Sequence, residues 1–343
     1  MTITRIELTR FTAFETLDFH PSAGINVLIG ANGTGKTHLM KVAYAACDIT
    51  KTKQSFGEKL VSSFLPSANA LGRLVKRLPQ SSKAKIRISR AENLHLSIEF
   101  SNHIKEPGNP NVKTTGATEW SKQPIESVFI PVKEMLANAP GFRSLYSRRD
   151  VHFESIYDDI ISRAYLPILR GAAKTDSQKK LLLLLQRSMA GKVAIKGEEF
   201  FLKNQRGELE FTLLAEGLRK LGLLWLLIQN GTLTSGSVLF WDEPETNLNP
   251  QLFATVVDLL LELHRLGVQI FLTTHDYAVL KEFDLATKDT DQIKYHALYY
   301  PEGSDGVVVE SHAQPFMLNE SPIATAMTSL YDREIKRSLG GAP

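Results

Sequence analysis

An apolar run at residues 25–29 passes directly into Gly30-Ala31-Asn32-Gly33-Thr34-Gly35-Lys36-Thr37, after which Leu39, Val42, Ala43 and Ala46 recur at helical spacing. Strand, glycine-rich loop and helix in that order form the cradle for the phosphates of a nucleoside triphosphate. The glycines let the backbone curl with its N–H groups inward, Lys36 reaches the outer phosphates, and Thr37 offers a hydroxyl to Mg²⁺. The helix N-terminus adds a dipole that favours an anion. The loop therefore predicts an α/β chain of the P-loop NTPase class. Its expected nucleotide contacts are Asn32, Gly33, Thr34, Gly35, Lys36, Thr37 and the adjoining His38.

A second apolar run, Val238-Leu239-Phe240-Trp241, ends in Asp242-Glu243-Pro244-Glu245, placing two adjacent carboxylates at the C-terminal end of an expected buried parallel strand. Ligands of open α/β sheets bind at such strand ends. Asp242 suits Mg²⁺, opposite the Thr37 hydroxyl, and Glu243 suits a general base that polarises an attacking water. Asn249-Pro250 reads as the cap and first turn of a helix carrying Leu252, Val256, Leu260 and Leu263. A third run, residues 267–274, delivers His275, whose neutral imidazole can sense a γ-phosphate.

Around these motifs the chain has 343 residues, 43% of them apolar, enough for one large α/β domain with an insertion. Cys47, the single cysteine, excludes an internal disulfide and falls on the apolar side of the first helix. No run approaches the length of a membrane span and the N-terminus carries no signal-peptide pattern, so the expected location is cytoplasmic, with no membrane partner. Residues 3–8 and 17–19 read as short strands leading into the strand before the loop, a sheet laid down around the nucleotide. Residues 51–90 hold ten Lys and Arg against the single acid Glu58, a local formal charge of +9, and so offer a candidate contact to nucleic acid. A hairpin is expected around Glu92-Asn93, an exposed loop over 101–124, and a strand at 128–130 ended by Pro131. Residues 132–190 read as mainly helical, with Ile156, Ile160, Ile161 and Ala164 on one face, and strand character returns at 193–195, 200–202 and 209–213. Tyr146, Arg148, Arg149 and His152 make a charged loop before the helices. The division expected is 1–130 for the N-terminal part of the core with its basic insertion at 51–90, 131–204 for a helical lobe, and 205–343 for the C-terminal part of the core.

Taken in order, residues 30–37, Ala215-Glu216-Gly217-Leu218-Arg219-Lys220, 239–250 and Thr273-Thr274-His275 resemble the ABC-type ATPases of the SMC, Rad50, RecF and OLD group. More closely, they look like the short AAA-15 or AAA-21 type ATPases of bacterial anti-phage and mobile-element operons. The resemblance covers roughly residues 1–48 and 205–300 plus the strand at 128–131. It implies an ABC-ATPase-like mixed sheet with an inserted helical lobe, ATP and Mg²⁺ as cofactors, and slow hydrolysis by Glu243 and His275. It also implies that Glu216, Gly217 and Arg219 act in trans, closing over the γ-phosphate held by a second copy in a homodimer or higher oligomer. Ala215 and Glu216 stand where the family has serine, and Arg219 is the cation expected to offset Glu216 near that anion. Glu245-Thr246-Asn247-Leu248 would communicate across the dimer.

Three functions compete under this resemblance: a regulatory ATPase controlling a separate nuclease or toxin in a defence system, a RecF-like DNA-binding repair ATPase, and a transporter nucleotide-binding subunit. The 68 residues after His275 are too few for the TOPRIM nuclease domain of OLD proteins, which favours the first. The basic segment favours the second. The replaced signature serine and the insertion over 51–204 disfavour the third.

Overall fold

A computed structural model describes residues 2–90, 94–148, 151–168 and 175–339. Glu92-Asn93, where a hairpin tip was expected, and Arg149 of the charged loop lie outside the described residues.

Strands β1 (Ile3–Phe11) and β2 (Phe14–Phe19) form an antiparallel hairpin, and β3 (Ile25–Gly30) leads through the glycine loop into α1 (Lys36–Asp48). Every residue of β3 is buried, as a central parallel strand requires, whereas β1 alternates between buried and exposed positions. That difference separates them into two sheets. The hairpin joins β4 (Lys83–Arg90), β5 (His95–Ser101) and the short edge β6 (Lys113–Thr115) in a five-stranded antiparallel sheet of order β2-β1-β4-β5-β6. The early strands are thus not part of the sheet that carries the glycine loop.

The second sheet has six strands in the order β14-β13-β3-β12-β11-β7, formed with β7 (Ser127–Ile130), β11 (Val238–Trp241), β12 (Gln269–Thr273), β13 (Ile293–Tyr299) and β14 (Val308–His312). All its pairings are parallel except β13 with β14. The loop after β3 and the ends of β11 and β12 therefore open on the same edge. Helix α1 is buried along most of its length. It shares one core with the five-stranded sheet and with Leu28, Phe240 and Phe271 from one face of the six-stranded sheet. The other face, with Val27, Leu239, Trp241 and Leu272, packs on α7 (Glu216–Gln229), α8 (Phe253–Arg265) and α9 (Tyr277–Ala286).

Between β7 and α7 come α4 (Phe142–Ser147), α5 (Ser155–Ala164) and α6 (Asp176–Ser188), then a three-stranded meander of β8 (Lys192–Lys196), β9 (Glu199–Asn204) and β10 (Gly207–Glu210). The sequence boundary at 204/205 falls in the turn between the paired strands β9 and β10. The expected loop at 101–124 contains β6 and α3 (Ala117–Ser121), and buries Trp120 completely with its Nε1–H donating to the Ala46 carbonyl at 2.6 Å. A terminal helix, α10 (Pro322–Ser338), is exposed along most of its length. Among the described residues no helix is long and apolar enough to cross a membrane.

A buried charge cluster ties the lobe to the glycine-loop helix. Lys59, on α2 (Phe56–Phe64), lies 2.7 Å from Asp48 of α1 and 2.6 Å from Asp159 of α5, and Arg163 of α5 reaches Asp48 at 2.5 Å. The Tyr44 hydroxyl donates to Asp159 at 2.8 Å. Burial alone would raise the Asp48 carboxyl, but the Lys59 and Arg163 charges outweigh it and hold the group below its ordinary 3.8.

This cluster also takes Lys59 out of the basic surface expected over residues 51–90, and other cations of that segment find partners too, while Lys53, Arg73, Arg77 and Lys85 stay exposed. Lys59 is spent internally, and Arg90 is buried 3.8 Å over the Trp120 ring while donating to the Gln123 and Trp120 carbonyls. Lys51 pairs with Glu126, Lys76 with Glu15, Lys83 with Glu99 and Arg87 with Glu7. The compensating acids lie outside the segment, where a local charge count does not see them.

Replacing Lys59 with Met leaves Asp48 and Asp159 facing Arg163 alone, and should cost about 3–5 kcal/mol in urea unfolding at neutral pH. Because the folded Asp48 pKa lies below the unfolded value, the ion pair's contribution is present above about pH 3.8 and is lost as pH falls through the lower folded value. The difference between parent and variant should therefore persist down to that range and shrink only below it.

Candidate nucleotide site

The glycine loop takes its shape from three left-handed or extended positive-φ glycines, Gly30 (φ 149), Gly33 (φ 84) and Gly35 (φ 87). A Cβ on Gly30 would fall against the Leu298 carbonyl of the neighbouring β13, and one on Gly35 would meet the Phe14 ring at 2.7 Å. The β1–β2 turn thus braces the loop from below. Gly35 caps α1 without any side-chain hydrogen bond, so the first N–H groups of a 13-residue helix are left to face an anion. Lys36 Nζ donates to the Gly30 and Ala31 carbonyls at 2.8 and 3.0 Å, and Thr34 Oγ1 donates to the Ala31 carbonyl at 2.9 Å. Burial lowers the Lys36 pKa, partly opposed by Glu243 and Asp242.

The strand ends bring the predicted acids to this loop. Asp242 is buried and accepts hydrogen bonds from Thr37 Oγ1 at 3.0 and 3.1 Å and from Thr273 Oγ1 at 2.7 Å. Burial raises its pKa, against the two hydroxyl donors. A desolvated carboxylate beside a hydroxyl is the donor set of a hard cation that also takes phosphate oxygens, so Thr37 and Asp242 fit Mg²⁺ bound with a nucleotide. Among the described residues no cluster of three or more His, Cys, Asp or Glu forms a metal cage of its own.

Glu243 sits in the left-handed region (φ 47), a conformation that costs an ordinary residue about 1–2 kcal/mol. The strain aims its side chain out of the strand. Its backbone N–H donates to Thr273 Oγ1 at 2.9 Å, Thr246 Oγ1 donates to its carboxylate at 3.0 Å, and His275 Nε2 lies 3.5 Å from its other oxygen. Burial, then Lys36, lowers the His275 pKa below its ordinary 6.5, so the ring is neutral at neutral pH.

Several contacts of this site were not anticipated. Glu245 accepts from Thr274 Oγ1 at 2.7 Å and from the His275 backbone N–H at 2.9 Å, and so fixes the segment bearing the histidine. Lys220 is buried on α7 and donates to the Thr246 carbonyl at 2.6 Å; burial lowers its pKa against four surrounding glutamates. The hydroxyl pair at Thr273 and Thr274 was visible as a polar step at a strand end. The burial of Lys220 gave no such signal, because a cation near the start of a helix reads as part of its exposed face.

In this chain three of the expected contacts find other partners within the fold. The Arg219 Nε lies 2.7 Å from the buried Glu134 carboxylate and its guanidinium donates to the Phe211 carbonyl at 3.1 Å, so it is an interior ion pair and not a cation offsetting Glu216. Glu216 is instead bound by the Asn247 amide at 3.0 Å. The His38 ring packs on Phe64 at 5.4 Å, and burial followed by the Lys41 charge pushes its pKa down to about 4; only its backbone faces the loop. Gly217 is buried against the chain's own segment after Glu243: a Cβ there would meet Leu248 Cδ1 at 2.8 Å and the Asn247 carbonyl at 3.1 Å.

Gly217→Glu should consequently destabilise the isolated, nucleotide-free chain by about 1–3 kcal/mol, read as a lowered melting temperature. An unchanged melt would show that this glycine does not serve the internal contact.

Comparison with known proteins agrees with this geometry. Residues 91–281 match the family model described as "AAA domain, putative AbiEii toxin, Type IV TA system". A 63-residue stretch is 33% identical to the DNA replication and repair protein RecF of Vibrio atlanticus (strain LGP32), a match that spans 18% of each chain. The fold is similar to that of an Smc head bound to the C-winged helix domain of ScpA (TM-score 0.57, 14% identity, 91% of this chain and 98% of that one). It is also similar to an Smc head with an extended coiled coil from Pyrococcus furiosus (TM-score 0.54, 12% identity, 97% and 99%). With the phosphate loop, the paired strand-end acids and the two-sheet wrapping of α1 in place, the chain belongs to that AAA family, with a fold similar to that of Smc heads.

Proposed function

We propose that this chain is an ATP-driven dimerisation switch, with Mg²⁺ as its metal, that regulates a separate effector such as a nuclease or toxin in bacterial anti-phage defence. The observation that carries the switch is the direct bonding of Thr37 to Asp242 with Glu243 and His275 converging on the same edge. The loop and the N-terminus of α1 bind the triphosphate, and Lys36 leaves its two carbonyls for the outer phosphates. Bound Mg²⁺ would neutralise phosphate charge between Thr37 and Asp242. Glu243, oriented by Thr246 and by its own strained backbone, orients and deprotonates water, and neutral His275 donates to the γ-phosphate.

Support for cooperation between copies comes from the start of α7. Ala215 is exposed and caps this helix without a side-chain hydrogen bond, while Glu216, Gly217 and Lys220 fasten the helix to residues 246–248. A second copy's phosphate meeting that helix end would pull on the segment that holds Glu243. A link to a toxic effector is supported by the toxin–antitoxin wording of the family description, and the Smc head relative was itself solved with a domain of another protein bound. The second reading, a DNA repair ATPase, is favoured by the RecF match alone.

Lys36→Ala should abolish ATP binding in calorimetry. Glu243→Gln should bind ATP normally, lower turnover by about 10²–10⁴-fold, and accumulate ATP-dependent dimers on size exclusion. Parental turnover in that variant would remove Glu243 as the base. Ala215→Glu places a like charge at an exposed helix end without touching the packing, so ATP binding should survive and dimerisation fail. Dimers at parental yield would rule out a trans contact there.

A further inference from the structure

Positive charge without a paired acid also gathers in the lobe, outside the 51–90 segment. The last turn of α6, the start of β8 and the β9–β10 turn line an open concavity of about 810 Å³ with Arg187, Lys192, Lys203 and Arg206, and no carboxylate lines it. All four cations are exposed. Lys192 and Lys203 are direct cross-strand partners in the β8–β9 ladder, an arrangement that destabilises a sheet. Relief is slight: Glu208 lies 3.5 Å from Lys203 but also pairs with Lys196, and among the described residues Arg187, Lys192 and Arg206 make no ion pair. Nothing in the fold asks for four cations there. An external polyanion does.

We propose that this lobe groove binds the phosphate backbone of nucleic acid, and that this is the cue the ATP switch reads. Arginine and lysine supply the charge, and the Asn204 and Gln205 amides beside them can donate to phosphate oxygens. No aromatic side chain lines the groove, so bases have no stacking platform and recognition is of the backbone, independent of sequence. The route to the ATP site is short. From β10 the chain passes through Phe211, whose ring packs on Phe200 of β9 at 5.7 Å and whose carbonyl binds Arg219 of α7. Coupling to hydrolysis rests on the switch reading; binding does not.

The test measures fluorescence anisotropy of labelled duplex DNA, single-stranded DNA and single-stranded RNA with the full chain, without nucleotide. Four phosphate contacts predict a roughly hundredfold loss of duplex affinity between about 50 and 200 mM salt. Arg187→Glu/Lys192→Glu/Arg206→Glu should weaken binding at least tenfold and flatten the salt slope by about 2–3, while Arg77→Glu/Lys85→Glu, on exposed positions of the 51–90 segment, should stay within about twofold. The neutral pair Lys192→Gln/Arg206→Gln, with its melt recorded, guards against unfolding and should show a smaller loss in the same direction. The three nucleic acids identify the class bound. Binding to none of them at the lowest salt, parental affinity in both groove variants, or tighter binding to anionic vesicles or an acidic peptide would overturn the proposal. Binding retained in the Lys36→Ala chain separates the groove from the ATP site, so failure of either reading is seen by itself.

Discussion

The structure depends on α1 being held from every side, and its far end is held by charge. Asp48 closes α1 among Lys59, Arg163, Asp159 and Tyr44, with Lys59 and Asp48 only 1% exposed. Two charges taken out of water repay their desolvation only when each remaining donor and acceptor finds a partner. Here the partners come from α1, α2 and α5, so the ion pairs form only when all three helices are in place. The glycine loop at the other end of α1 is therefore mechanically continuous with the inserted lobe.

At the nucleotide end the logic is similar but uses hydroxyls. Thr37, Thr273, Thr246 and Thr274 each donate to a carboxylate of the 242–245 segment, and none of those carboxylates has an arginine or lysine as its nearest partner. Hydroxyl donors orient an acid without neutralising it, which leaves charge free for a cation or a proton in transit. Lys220, like Lys36, is a buried ammonium that binds a carbonyl instead of a carboxylate. The strain at Glu243 is affordable because its neighbours, the buried β11 and the Thr273 hydroxyl, fix the backbone on both sides.

Much of this was legible in the chain. The phosphate loop, the two acids after residues 238–241 and the histidine after 267–274 are local signals, and each sits at a strand end in the same sheet. What a short window could not show was the company each residue keeps. Arg219 and His38 have the right chemistry and the right neighbours in sequence, yet Glu134 and Phe64, far along the chain, claim them. Trp120 lies in a stretch of loop composition and is buried because Ala46 offers it a carbonyl. The two sheets were indistinguishable in prospect, since strand pairing is a long-range choice that alternation alone does not decide.

By itself the sequence determined that a triphosphate-binding loop joins a buried strand to a helix, because glycine, lysine and hydroxyl at fixed offsets satisfy that chemistry wherever the chain runs next. Only the tertiary structure decided where the charge goes. Residues 51–90 read as one basic surface, yet Lys51, Lys59, Lys76, Lys83 and Arg87 pair with acids from elsewhere in the chain, while Arg187, Lys192, Lys203 and Arg206 come from three segments to make a basic groove. Charges act through space at a range of several ångströms, and the fold sets those distances, so electrostatic character is settled only once the segments meet.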